Sequence, residues 1–341
     1  MPEAIRPDFL IGGIAVPAGQ RQRVEIPVSN SPDQSPLSIQ IEVLHGSTKG
    51  PVLFVSGAIH GDEIIGTEVS ARLLETLDVA EICGTLIVVP VVNTVGFMSG
   101  SRYLHDRRDL NRSFPGSRRG SFASRLARIF MDEVVSKADW GIDLHSAAIH
   151  RANFPQLRIS PKRPETLALA RVFGAPVVLT AKLRPKSLRH AALKKGVDIL
   201  LFEGSGGLRV DRDASAIALR GILNVMRHIG MLARDDTSQV LRDTIFSSSS
   251  SWLRAPASGL LYPEKAIGDV VEAEDRLGSI ISPFGDPLAT MQAGNSGIII
   301  GATTLPVVRE GDALFHIAEI ERGPPVEPDA AAEILDEDEV D

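Results

Sequence analysis

The rhythm of apolar and polar positions changes twice along this chain. In the first 45 residues, short apolar stretches (Arg23 to Val28, Leu37 to Val43) are separated by Asn30, Ser31, Pro32 and Asp33, the pattern of strands joined by tight turns. From Pro51 the runs become continuous and alternate with helical spacing. Val52 to Val55, Leu86 to Val92, Trp140 to Leu144, Val177 to Leu179 and Asp198 to Phe202 read as buried strands. Between them, Ile64 to Leu77, Phe122 to Val135, Pro164 to Phe173, Leu183 to Lys195 and Ala214 to Met231 read as helices. Strands apolar on both faces that alternate with helices imply an α/β fold, a mixed and largely parallel sheet flanked by helices. After Leu232 the helical period disappears. Five serines, Ser247 to Ser251, lead into short β-like runs punctuated by Gly259, Gly268, Gly278, Gly285, Gly294, Gly297, Gly301 and Gly311.

These changes divide the chain into an N-terminal β segment (1–45), a catalytic domain (46–235), a linker (236–251), a small all-β domain (252–322) and an acidic tail (323–341). The net charge of −7 belongs to that tail. Glu327 to Asp341 holds eight acidic and no basic residues, which leaves about +1 for the remainder. Such an end is expected to be solvated and disordered. No nucleic-acid surface is expected, because aromatic residues are 5% of the chain and the main basic cluster has another use. The amino terminus carries neither a signal-peptide nor a transit-peptide pattern, and no apolar run approaches the roughly 20 residues of a spanning helix. The single cysteine, Cys83, excludes an intramolecular disulfide. A cytoplasmic protein without a membrane partner is the expectation, and a homo-oligomer is compatible with it.

Four segments carry chemistry. His60-Gly61-Asp62-Glu63 follows the first buried strand, where His60 and Glu63 can converge across a strand-to-helix turn; alone, the pair also fits polar residues at a helix start. Asp143 and His145 share one face of an otherwise apolar strand, and polar groups there are costly unless partnered. A buried histidine bonded to a carbonyl would also satisfy that position. Taken together, two histidines and a glutamate form a known catalytic zinc set with a fourth position for water, so His60, Glu63 and His145 become candidate ligands. Asp143 is then a second-sphere partner, and His150 is a weaker rival third ligand. The eleven residues from Arg102 to Arg112 include four arginines, suited to gripping a substrate carboxylate or an oxyanion, or else to forming a solvated basic loop. Glu203 directly follows an apolar strand and precedes Gly204-Ser205-Gly206-Gly207. There it can exchange a proton with a metal-bound water, or simply face solvent.

In this order, Gly57-Ala58-Ile59-His60-Gly61-Asp62-Glu63, Arg102-Tyr103, Asp109-Leu110-Asn111-Arg112, Asp143-Leu144-His145-Ser146 and Glu203-Gly204 resemble the succinylglutamate desuccinylase/aspartoacylase family, a branch of the zinc carboxypeptidase fold. The resemblance covers roughly residues 45 to 235. It implies one Zn2+ on His60, Glu63 and His145, Asn111 and Arg112 on a substrate carboxylate, Arg102 on the scissile carbonyl, and Glu203 as base and acid. The C-terminal β region is similar to the small barrel-like domain of that family and to lipoyl-type domains, without a lysine in a modification turn. The stretch from Arg102 to Arg112 is longer than in aspartoacylase, which bears on the placement of Arg102. The reading is therefore an amide hydrolase acting on a small N-acyl amino acid. The alternatives are a carboxypeptidase acting on a peptide C-terminus and a non-catalytic binding protein on the same fold. A bulky lid over residues 147–190 would favour small N-acyl substrates.

Overall fold

The continuous apolar runs become the parallel centre of one large sheet. The computed structural model describes residues 6–160, 163–234 and 244–320. The expected acidic tail and much of the expected linker lie outside these residues. In chain order the N-terminal elements are β1 (Phe9–Ile11), β2 (Ile14–Val16), β3 (Gln20–Asn30), β4 (Pro36–His45), β5 (Thr48–Gly57), α1 (Ile65–Thr76), β6 (Cys83–Val89) and α2 (Thr94–Ser99). The middle of the chain supplies α3 (Phe122–Glu133), β7 (Trp140–His145), β8 (Arg151–Ile159), α4 (Pro164–Phe173), β9 (Val177–Thr180), α5 (Leu188–Leu193), β10 (Asp198–Gly206) and α6 (Arg212–His228). There follow β11 (Ile245–Ser247), β12 (Ser250–Arg254), β13 (Gly259–Pro263), β14 (Val270–Val271), β15 (Arg276–Ile281), β16 (Pro287–Gln292), β17 (Gly297–Thr303), β18 (Val307–Val308) and β19 (Ala313–Glu319).

The large sheet runs β12-β19-β17-β8-β10-β7-β5-β6-β4-β3. Its centre is parallel, with β6 beside β5, β5 beside β7 and β7 beside β10. Consecutive residues of these strands serve opposite faces, as the period of two requires. On β5, Phe54 packs under α3, meeting Phe130 edge-on at 5.9 Å, while Leu53 and Val55 join the core beneath α1, α4 and α6. Both faces are therefore dry, which explains why the strands read as unbroken apolar runs.

Antiparallel strands close both sides. At one edge the β3–β4 hairpin joins through β4 to β6. On the other side β8 lies antiparallel to β10 and to β17, so the C-terminal strands continue the same sheet. Among the described residues the C-terminal region contains no helix. A four-stranded antiparallel sheet, β16-β15-β13-β18, packs against it around Leu277, Ile280, Ile299, Leu314 and Phe315. The fold is the mixed α/β architecture expected, with an all-β C-terminal part.

Two local readings differ from the sequence expectation. The helix expected over 183–195 begins only at Leu188, because Pro185 precedes it, Lys186 takes a left-handed φ of 67° and Ser187 caps its first turn. The strand expected to reach Val92 stops at Val89, where Pro90 follows and Asn93 caps α2 by accepting from the Gly96 amide. The described residues between 147 and 190 supply β8, α4, β9 and the start of α5. No helix among the described residues is long and apolar enough to cross a membrane.

Candidate active site

The site lies at the carboxyl ends of β5, β7 and β10, where open α/β sheets gather their ligands. β5 ends at Gly57, and Ala58 then turns the chain with a φ of 49°. His60, Gly61, Asp62 and Glu63 form a tight turn ahead of α1, closed by the Glu63 amide donating to the His60 carbonyl at 3.1 Å. Gly61 is required here by space. A methyl group on it would stand 1.9 Å from the Gly96 carbonyl carbon of α2.

From this turn Glu63 bridges two histidines. Its Oε1 lies 2.6 Å from His60 Nδ1, and its Oε2 lies 2.7 Å from His145 Nδ1, at the end of β7. The three side chains are buried, and their donor atoms all lie within 4.8 Å of one another. The outer nitrogens are held by carboxylates. His145 Nε2 donates to Asp143 Oδ2 at 2.8 Å, and His60 Nε2 donates to Asp109 Oδ1 at 3.1 Å. Asp143 is itself fixed by Ser56 on β5, whose hydroxyl donates at 2.7 Å. These outer bonds set the tautomer, so both Nδ1 lone pairs face the glutamate.

Two lone pairs aimed at a carboxylate at hydrogen-bond distance require positive charge between them, either protons or a cation. The titration behaviour of the cluster reflects this. Burial opposes protonation of His145, yet Asp143 and Glu63 outweigh it and hold the imidazole well above the ordinary histidine range. For His60, burial and the Arg102 charge push down, while Glu63 and Asp109 prevail and push up. Burial alone would raise Glu63, but the two histidines keep it far below the usual glutamate range. The donor set fits a divalent metal: two imidazoles and one carboxylate, preoriented and buried, with second-sphere acids in place.

The arginine-rich loop converges on the same point. Asp109 caps the 3-10 turn Leu110–Arg112, accepting from the Asn111 amide at 2.6 Å, and still reaches His60. Arg102 donates to Asp109 Oδ2 at 3.1 Å and to Glu63 Oε1 at 3.3 Å. Burial would raise the Asp109 carboxyl, but His60, Arg102 and Arg112 hold it far below its ordinary range. Asn111 is buried, and its Oδ1 accepts from the Leu188 amide at 2.9 Å, which fastens the loop to the first turn of α5. Arg112 folds back to donate to the Asn111 carbonyl at 2.9 Å. Glu203, on β10, is the register partner of His145 and is buried. Its Oε2 accepts from Asn153 Nδ2 at 3.1 Å.

The structure thus brings His60, Glu63, His145, Asp143, Arg102 and Asp109 into direct contact, with Glu203 on the next strand. His150 stands apart. It is exposed, with a φ of 69°, and its carbonyl receives the Thr304 amide. Reasoning from sequence did not foresee Asp109 as the acid behind His60, Ser56 behind Asp143 or Asn153 behind Glu203. The Asp143/His145 spacing carried a signal for one of the two acids; Asp109 was legible only as part of the Asp109-Leu110-Asn111-Arg112 motif.

The catalytic-domain profile of the succinylglutamate desuccinylase/aspartoacylase family matches residues 49–229, more than half of the chain. The chain belongs to this family. It is similar to N-alpha-acetyl-L-2,4-diaminobutyric acid deacetylase of Halomonas elongata, 28% identical over 330 residues that cover 92% of this chain and 94% of that protein. Among solved structures, a succinylglutamate desuccinylase/aspartoacylase from Rhodobacter sphaeroides aligns with a TM-score of 0.77 at 27% identity, covering 88% of this chain and 96% of that one. The product-bound ectoine utilization protein EutE (DoeB) from Ruegeria pomeroyi aligns with a TM-score of 0.78 at 23% identity, over 88% and 95% of the two chains, a likeness of fold. Family membership makes this protein a hydrolase of amide bonds.

Proposed function

We propose that the chain is a zinc-dependent deacylase that hydrolyses the amide bond of a small, carboxylate-bearing N-acyl amino acid. The observation that carries this is the placing of Glu203 beside the His60–Glu63–His145 cluster, as register partner of one ligand at the shared end of two parallel strands. His60, Glu63 and His145 would hold the ion. Zinc, when bound there, acidifies a water and polarises a carbonyl.

The chain's own groups do the rest. Glu203 accepts the proton of the attacking water and passes it to the departing amine nitrogen, a role worth about 10²–10⁴-fold in rate. Arg102, braced by Glu63 and Asp109, lies beside the cluster with a charge suited to the oxygen that becomes negative as the carbonyl is attacked. Asn111 and Arg112, on the loop pinned to α5, grip the substrate carboxylate; a guanidinium fork matches its two oxygens. The similarity to a deacetylase of an N-acetylated diamino acid makes N-acetyl-L-2,4-diaminobutyrate the first compound to try.

The test is a panel of N-acetyl amino acids, N-succinyl amino acids and dipeptides, offered to the purified protein with its zinc content measured. N-acyl amino acids should turn over, and a chelator should stop the reaction. Glu203→Gln should keep the metal and lose about 10²–10⁴-fold in kcat. Undiminished turnover in that variant would remove Glu203 from the chemistry, and cleavage of dipeptides alone would replace the deacylase with a carboxypeptidase.

A further inference from the structure

We infer that Asn153 is a positioning residue for Glu203, and that strand β17 of the C-terminal region holds Asn153 in place through the bare Cα of Gly301. The inference rests on the proposed role of Glu203 and extends it beyond the residues that line the metal cluster.

Strand register carries the first step. On the β8–β10 ladder Glu203 lies opposite Gln156, and Ser205 lies opposite Asn153, so β10 advances two residues while β8 advances three. Directly opposed residues share a face and faces alternate along a strand. In an unbroken ladder Asn153, an odd number of residues from Gln156, would project away from Glu203. The bulge turns it round, with Ser205 at a φ of 72°, and Asn153 Nδ2 then donates to Glu203 Oε2 at 3.1 Å. Bulges beside active sites commonly re-aim a side chain in this way.

The second step is space. Asn153 pairs across the sheet with Gly301 of β17. A methyl group on Gly301 would stand 2.9 Å from Asn153 Oδ1 and 3.3 Å from His316 Cβ of β19. Gly301 is not among the glycines with positive φ, so an alanine would find its backbone acceptable. What it lacks is room, and the group that must yield is the Asn153 amide. One residue away, the Ile300 carbonyl accepts from buried Gln156, the register partner of Glu203. Thus β17 backs both β8 residues that flank the carboxylate. A carboxylate that must receive a proton and return it to a different atom needs a fixed direction. A neutral amide fixes direction without competing for the proton.

Four variants test this: Asn153→Ala, Gly301→Ala, their double, and Glu203→Gln, assayed on N-acetyl-L-2,4-diaminobutyrate or the best N-acyl amino acid of the panel, with zinc content and thermal melts recorded. Loss of a hydrogen bond to a charged group should lower kcat about 10- to 100-fold in Asn153→Ala, with KM and zinc content unchanged. Gly301→Ala should lower kcat in the same sense, and the double variant should fall no further than Asn153→Ala. Full kcat in Asn153→Ala while Glu203→Gln is inactive overturns the inference and leaves the deacylase reading standing. Equal losses in kcat and zinc, or additive losses in the double variant, also overturn it. Should Glu203→Gln itself remain active, the reading beneath it is what fails.

Discussion

Asp143 makes two contacts, and each has a consequence. One oxygen accepts from Ser56 and the other from His145 Nε2, with no solvent exposure. The bond to His145 leaves Nδ1 facing Glu63, so Asp143 would act on a bound ion without touching it. Outer-sphere acids of this kind typically set metal affinity by about 10- to 100-fold. Asp143→Asn should therefore weaken zinc binding by about that factor while leaving the fold intact, measured by competition against a chromogenic chelator at pH 7.5. Wild-type affinity in the variant would mean that the histidine is oriented by packing alone. The same residue shows what a sequence can disclose. Asp143 and His145 were legible as a pair because a strand repeats every two residues. Asn153 was not, because its role depends on a one-residue slip between two strands that a single sequence does not record.

Elements were legible where a run was apolar on both faces and obscure where function or a bulge interrupted the pattern. β5, β7 and β10 and the helices α1, α3, α4 and α6 follow directly from spacing. β8 does not, although it lies inside the sheet. It contains Asn153, Pro155, Gln156 and Arg158, and a proline in a run argues for an edge strand. Pro155 is tolerated because it falls in the β8–β10 bulge, between the paired positions Asn153 and Gln156, and neither β9 nor β17 pairs with it. At the far edge of the sheet, the β3–β4 hairpin is stitched by Glu42, which accepts from Arg21 Nε at 2.8 Å and Arg23 Nε at 3.0 Å. Burial would raise this carboxyl, but the two guanidiniums prevail and lower it. A lowered carboxyl contributes stability that is complete above the ordinary glutamate value and drains as pH falls through the lowered one. Glu42→Gln should cost about 1 kcal/mol at pH 7, since both arginines are partly exposed and water screens them. In urea melts the gap to wild type should narrow steadily below about pH 4.5. A gap that persists at pH 3 would assign the loss to packing.

At the scale of the whole molecule, the cluster joins the turn after β5 to the end of β7, its neighbour in the sheet. His60 hangs from the end of β5, His145 ends β7, and Glu63 between them opens the approach to α1, so an ion held by all three ties adjacent strands of the sheet centre to the first helix. An unfolded chain offers no such set, and binding energy is therefore stability, about 2.7 kcal/mol when free zinc stands at a hundred times its dissociation constant. Protons compete for the same lone pairs, which fixes the sign of the pH dependence. In the metal-free protein His60 and His145 have raised affinities for protons. Their contribution is whole below the ordinary histidine value of about 6.5 and is lost as pH climbs through the raised ones. Glu63, lowered, is ionised throughout that window and adds no slope. Zinc needs the unprotonated imidazoles, so its advantage grows over the range where the metal-free protein weakens. Melting temperatures measured with and without zinc at pH 6, 7, 8 and 9 should diverge as pH rises, with the metal-free form declining and the gap widening. A gap that stays level or closes toward pH 9 would mean that the ion is not displacing protons from these two histidines and sits elsewhere on the chain.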